Sequence, residues 1–239
     1  QALSTSYVHS PKGSGVLDDD TIAPASSGTT ARWEPMKVPP MLQHSFIFPY
    51  TQGMVWAVEV VSKEGQAGMD RLYREPPDST EQIMHPEKSR APRDRPSRIH
   101  EELLRLTQGA LRGAGYEPVK EDVLGEFGIR ELFGGASDAT AGLAAAGWDG
   151  DLFSVQRRRG GRTAMVWITV WDSAVDAGEF LDRATAWLSG RHADEKEYRI
   201  GRMGPEGRLI HLIEGFEPDL IDRIEAALSP AIAGKVTLR

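Results

Sequence analysis

The sequence predicts an α+β fold, with an N-terminal helical region followed by a small antiparallel sheet covered by helices. Residues 46–64 place Tyr50, Met54, Ala57, Val58 and Val61 at spacings of three and four, the period of a helix with one apolar face. Residues 152–158 and 163–171 are short runs rich in β-branched and aromatic residues, joined through Gly160-Gly161 in the manner of a tight hairpin. Residues 198–203 and 208–213 repeat the hairpin pattern around Gly204-Pro205-Glu206-Gly207. A helical stretch at 174–188 separates the two hairpins, and another at 219–228 follows the second. The second half therefore reads strand, strand, helix, strand, strand, helix.

Taken in order, Gln1-Ala-Leu-Ser-Thr-Ser-Tyr reads as the middle of a helix, so the start of the chain is expected to be a cut. Residues 9–40 are polar and rich in small residues, with an Asp18-Asp19-Asp20 run that lacks the alternating ligands of a calcium loop, and read as a long loop. Gly65 is placed to end the first helix. A short second helix carries Met69, Leu72 and Tyr73 and stops at Pro76-Pro77. Asp78-Ser79-Thr80-Glu81-Gln82 has the form of a capping box opening a turn that ends near Pro86. Residues 88–99 are polar, basic and punctuated by prolines, the pattern of a linker. This divides the chain into residues 1–40, 41–99 and 100–239.

Beyond the linker, residues 121–133 read as a helix and Asp138 caps another through Ala146. Gly147-Trp148-Asp149-Gly150-Asp151 reads as a turn. Asp172-Ser173 cap the helix at 174–188, whose Val175, Phe180, Leu181, Ala184 and Leu188 form the expected inward stripe. The final helix presents Leu220, Ile221, Ile224 and Leu228 on one side.

Composition excludes several classes of function. With 40% hydrophobic residues over 239 positions, the chain can bury a core. A net charge of −7 argues against broad nucleic-acid binding, which requires a basic face. No apolar run approaches the roughly 20 residues needed to cross a bilayer. Without cysteine there are no disulfides, thiolate nucleophiles or Cys-bound zinc.

The histidines do not form a recognisable metal site in sequence. His100-Glu101-Glu102-Leu103-Leu104 begins like a zinc protease motif, but Leu104 stands where the second histidine is needed, and a surface helix start is expected. His211 and Glu214 point to opposite faces if they share a strand. His192-Ala193-Asp194-Glu195 reads as an exposed connector. His85, with Glu87 two residues on, sits in a turn where it would bind or pack locally. Arg157, Arg158 and Arg159, with Arg162 close by, form a basic hairpin turn suited to an anion or an acidic partner. Trp148 and Trp171, with Asp149, Asp151 and Asp172, flank the same strands and mark a candidate polar site at one end of the sheet. Trp167 and Trp171 share a strand face with Thr169 and are expected in the core. No serine elbow, dinucleotide fingerprint or Walker loop is present.

Several stretches occur in a familiar order: Pro39-Pro40-Met41-Leu42, Phe48-Pro49-Tyr50-Thr51-Gln52-Gly53, the run from Tyr73 through Ser79-Thr80-Glu81-Gln82 to His85-Pro86-Glu87-Lys88, Glu121-Asp122-Val123-Leu124-Gly125-Glu126, Gly147-Trp148-Asp149-Gly150-Asp151, and Val166-Trp167-Ile168-Thr169-Val170-Trp171-Asp172-Ser173 with Asp176-Ala177. Over residues 36–188 this resembles the C-terminal part of a poorly characterised group of bacterial envelope proteins and lipoproteins related to zincin-type metallopeptidases. In that group, helices carrying His-Glu-x-x-His and Glu-Gly-Asp-Ala precede the part that matches here. Neither motif occurs in this chain, so the resemblance carries no metal ligand onto any of its residues. Residues 1–7 are read as the remainder of the second of those helices.

The resemblance implies a periplasmic, surface or secreted location. It also implies a non-catalytic, structural or protein-binding role, within a larger assembly or against an upstream segment of the same polypeptide. The alternative it allows is a metallopeptidase whose zinc ligands lie upstream of Gln1. On the first reading no cofactor is expected.

Overall fold

A computed structural model describes residues 38–232, apart from Arg159, Arg162 and Ala193. The helix remnant and most of the polar loop expected at residues 1–40 lie outside the described residues. Pro39–Arg239 forms one compact unit, which takes in both regions that the sequence divides near residue 99. Its elements in chain order are α1 (Pro40–Arg74), α2 (Glu81–Met84), α3 (Ile99–Gly113), β1 (Tyr116–Asp122), α4 (Gly125–Leu132), α5 (Ala139–Ala145), β2 (Trp148–Arg158), β3 (Thr163–Trp171), α6 (Ala174–Ser189), β4 (Tyr198–Met203), β5 (Leu209–Glu214) and α7 (Pro218–Ile232). Among the described residues these seven helices and one five-stranded antiparallel sheet, ordered β1-β2-β3-β5-β4, make an α+β fold.

The strand alternation of the sequence sorts the core into two layers. On one face Val166, Ile168, Val170, Leu209 and Ile213 pack against α3 and α7, which contribute Leu103, Leu104, Leu111, Leu220, Ile221, Ile224 and Leu228. On the other, Trp167, Trp171, Ile210 and Leu212 pack against α4, α5 and α6 through Ile129, Ala141, Ala144, Phe180, Ala184 and Leu188. α6 starts where the sequence predicts, because the Ser173 hydroxyl accepts from the Val175 and Asp176 amides at 3.1 and 3.3 Å. Asp138 caps α5 in the same way, through the amides of Thr140 and Ala141. Val175, expected inward, is 70% exposed; the buried stripe of α6 begins at Ala177.

The structure corrects four further expectations. β1 is an additional edge strand where the sequence gives no strand, and the helix expected from residue 121 starts only at Gly125. Pro118 and four charged residues hide the strand pattern. An edge position tolerates them, since one side of β1 needs no partner, and the pairing with β2 breaks register between Pro118 and Lys120. Residues 148–151, read as a turn, are the start of β2, with an irregularity between Trp148 and Gly150. His100, read as a surface position, is 5% exposed, and its ring lies so close to Gly150 of β2 that a side chain there would come within 3.3 Å of Nδ1.

The fourth correction concerns α1. Gly65, at φ 63° and ψ −154°, breaks it into two arms, as the sequence suggests. Its apolar stripe faces outward, however. The residues it buries are Phe48, Trp56, Val60 and Leu72, with Phe48 and Phe127 of α4 at a ring-centroid distance of 4.3 Å.

The second core layer closes on Phe180, whose ring lies 5.4 Å from Trp167 and 4.8 Å from Trp171, centroid to centroid. Phe180→Ala is expected to cost about 3–5 kcal/mol in urea denaturation, the range for truncating a fully buried aromatic residue. A loss below about 1 kcal/mol would show that this layer repacks without it.

Candidate functional site

At the sheet end where the sequence suggests a polar site, Asp149 and Asp172 lie beside polar groups of an earlier segment. Residues 75–98 run from α1 to α3 across the point where β2 begins and β3 ends. Two features of the sequence hold the segment there. The capping box expected there forms only in part: the Gln82 amide donates to Ser79 Oγ at 3.4 Å, but the Gln82 side chain accepts from the Asp78 amide at 2.9 Å, and Thr80, which stands at the N-cap of α2, makes no side-chain cap bond. The Ser97 amide donates to the Asp149 carbonyl at 2.6 Å, and a side chain at Gly150 would collide with the Ser97 carbonyl oxygen, so close approach requires glycine.

Lys88 is the centre of the site. Its ammonium lies 2.6 Å from Glu81 Oε1, 3.0 Å from Asp172 Oδ2 and 3.3 Å from Asp94 Oδ2. The ammonium thus donates to Glu81 and Asp172 and forms an ion pair with Asp94. The oxygens of Glu81, Asp94 and Asp172 lie within 4.8 Å of one another, the one trio of potential metal ligands among the described residues. The charge such a trio attracts is supplied by the protein itself. An all-oxygen set already bonded to a lysine does not suit zinc, which prefers nitrogen and sulfur ligands.

Beside the trio, His85 Nε2 lies 2.9 Å from Glu126 Oε1, while Glu87 is exposed and 3.9 Å from the other ring nitrogen. Carboxylates outnumber cations here, and the deepest of them respond. Burial pushes the Glu81 carboxyl up to about 7 against the pull of Lys88, with Glu126 and Asp172 adding to the rise. Burial likewise raises Glu126 against the pull of His85. Burial also disfavours the Lys88 ammonium, but its hydrogen bonds to Glu81 and Asp172 outweigh this and hold it charged above its ordinary range.

The other predicted site residues have structural partners. Asp151 is wholly buried and accepts four hydrogen bonds: Leu124 N and Trp167 Nε1 on Oδ2 at 3.0 and 2.9 Å, Gly125 N and Trp148 Nε1 on Oδ1 at 2.9 Å each. Burial raises its pKa, and these four donors oppose the rise. All its acceptor positions are filled, so it has none left for a ligand. Trp171 donates to Thr169 Oγ1 at 2.8 Å inside the core. Asp149 accepts from Arg208 at 3.1 Å. The basic turn is divided: Arg158 pairs with Glu217 at 2.7 Å, Arg157 is exposed, and Arg159 lies outside the described residues. Sequence reasoning missed Glu81, Lys88, Asp94, Glu126 and Arg208 as site residues. The Ser79–Lys88 run and Asp172 were each visible, but neither their pairing nor the part of Glu126 in α4 was.

A second feature lies on the opposite side of α1 from its buried residues. Phe46 and Tyr50 are 74% and 77% exposed, and Ile47, Met54, Val55, Val58 and Val61 are exposed with them. At about 100° per residue, Ile47, Tyr50, Met54, Val58 and Val61 fall within one narrow arc facing away from Phe48, Trp56 and Val60.

The chain is thus an α+β protein whose sheet end is locked by paired charges and whose first helix bears an apolar stripe that no described residue covers. A family described as a domain of unknown function, DUF8575, matches residues 114–210, from the end of α3 into β5. No curated protein and no solved structure matches the chain.

The raised Glu81 pKa fixes the sign of a pH effect. Between its unfolded value of 4.5 and its folded value of about 7 the folded state holds the extra proton, so this group's contribution to stability falls as pH rises through that window. The stability of the native chain minus that of Glu81→Gln is therefore expected to fall from pH 5 to 7.5 and to level off above about pH 8. A native-minus-variant difference that rises over this range in urea titrations would contradict the assignment.

Proposed function

We propose that this chain is a protein-binding module, with the outward face of α1 docking a helix of another polypeptide. The exposed apolar stripe on that face is the observation that carries the reading. Contiguous exposed apolar patches are uncommon on a free surface and mark interaction sites. Ile47, Tyr50, Met54, Ala57 and Val61 follow the three-and-four spacing of a coiled-coil seam, about 21 Å long at about 1.5 Å per residue, which suits a helical partner. α1 is anchored on its inner side by Phe48, Trp56 and Val60, and Glu59 pairs with Arg90 at 3.2 Å, so the stripe is presented on a fixed support.

The reading agrees with a non-catalytic role among the zincin-related envelope proteins that residues 36–188 resemble. A periplasmic, surface or secreted location goes with it. The clustered carboxylates support it as well, since Lys88 engages the trio that would otherwise attract a metal ion.

The test is site-specific photo-crosslinking in the native cell, with benzophenone side chains at Met54 and Val58 and, as a control, at the exposed Thr185 of α6. A single adduct of defined mass is expected from the α1 positions and not from position 185. Val58→Glu is expected to abolish the adduct formed from position 54 while changing stability by less than about 0.5 kcal/mol, as for an exposed site. An adduct of twice the chain mass would identify a second copy as the partner. No adduct from α1, together with stoichiometric zinc in the purified chain, would overturn the proposal in favour of a metallopeptidase.

A further inference from the structure

Among the described residues, the second sheet face is not covered along its whole length. α6 and α4 shield the Trp171 end. Towards Thr163 and Glu214 the strands are left open in a cleft of about 470 Å³, within the range for small-molecule sites. Its walls are apolar, formed by Phe153, Met165 and Trp187 among others, and its polar groups gather at one end as Arg191, His192 and Glu214. This site is independent of the α1 stripe and of the Lys88 cluster.

The polar end is built in detail. The Arg191 guanidinium lies over the Trp187 ring, 4.2 Å from its centroid, and donates through one nitrogen to Glu214 Oε1 at 3.0 Å. His192, read from sequence as exposed, is held between two carboxylates, with Nδ1 2.8 Å from Glu197 Oε2 and Nε2 2.8 Å from the same Glu214 Oε1. With an acceptor at each nitrogen, the ring donates from both and carries a proton on each. Burial opposes that charge, but Glu197 and Glu214 outweigh it and raise the histidine pKa.

Two cations and two anions therefore cancel. Glu214 is 7% exposed and both its bonds fall on Oε1, leaving Oε2 as a solvent-reached acceptor with no hydrogen bond among the described residues. Arg191 bonds Glu214 through one nitrogen only, so its other N–H groups remain able to donate. A ligand carboxylate would meet Glu214 Oε2 unfavourably, and a ligand ammonium would meet Arg191 and His192. A neutral group offering one donor next to one acceptor satisfies both partners without upsetting the charge balance.

We propose that this cleft binds a small neutral molecule with a flat apolar body and an amide edge. The amide N–H donates to Glu214 Oε2, its carbonyl accepts from Arg191, and the apolar body lies between Trp187 and the open strands.

Calorimetric titration of the full chain with three probes of one shape tests this: 2-naphthamide, 2-naphthoate and 2-naphthylmethylammonium. The amide is expected to bind about tenfold or more tighter than either charged probe, the scale of one hydrogen bond to a charged group. Val155→Trp, which fills the cleft from its floor, is expected to weaken amide binding about tenfold or more. Arg191→Met changes a half-exposed side chain, leaves the core untouched and is expected to weaken it by about fivefold or more. Both variants are checked for an unchanged melting transition. Tighter binding of the carboxylate or the ammonium would overturn the assignment of the head group. Undetectable amide binding, or binding indifferent to both substitutions, would overturn the site.

Discussion

One buried carboxylate sets the geometry on which the rest of the molecule depends. Asp151 lies wholly inside the protein, and its two oxygens accept from four N–H groups belonging to Leu124, Gly125, Trp148 and Trp167. None of these donors can act as an acceptor, so the group they demand is an ionised carboxylate with all its positions filled. The bonds tie the first turn of α4 to the start of β2 and orient two core tryptophans, one from each strand of the central hairpin. Burying such a charge is costly when it is unpaired, so the arrangement holds only if every donor stays in place.

The sheet end depends on that constraint. With β2 fixed at Asp151, the neighbouring Asp149 meets Ser97 and Arg208, and Gly150 leaves room for the crossing backbone. The crossing segment then brings Lys88 to Asp172 and His85 to Glu126. Most of the charge on this side of the molecule is directed inward to protein partners, with Glu126 Oε2 left buried and without one among the described residues. On the outer side of α1 the reverse holds, because apolar groups face solvent with nothing among the described residues to cover them. The contrast separates surfaces that complete the fold from surfaces free to meet something else.

Much of the second half could be read directly from the sequence, because its signals are local. The two hairpins carry β-branched runs around glycine turns, and α6 carries its own cap in Ser173. β1 could not be read, since Pro118 and its charged neighbours suit an edge strand but resemble a loop. α1 shows a different limit. Its periodicity was visible, but the helix has two apolar sides, and only tertiary packing decides that Phe48, Trp56 and Val60 turn inward while Tyr50, Met54 and Val58 do not. The site was legible in pieces. His85, Asp149, Asp151 and Asp172 stood out individually, but His85 and Glu126 are 41 residues apart and Lys88 and Asp172 are 84 apart. No local pattern links residues at such separations. Asp151 was read as a binding candidate and is a structural anchor instead, a distinction that rests on burial and on the number of donors around it.

The most direct test of this account is the urea denaturation of Asp151→Asn, followed by near-ultraviolet circular dichroism of the tryptophans. Asparagine keeps the volume but presents an amino group to two of the four N–H donors. The expected result is a loss of about 2–4 kcal/mol, the scale of unsatisfied buried donors around a lost charge, with a marked change in the tryptophan signal. A loss below about 0.5 kcal/mol with an unchanged tryptophan signal would show that the fold does not depend on the Asp151 carboxylate.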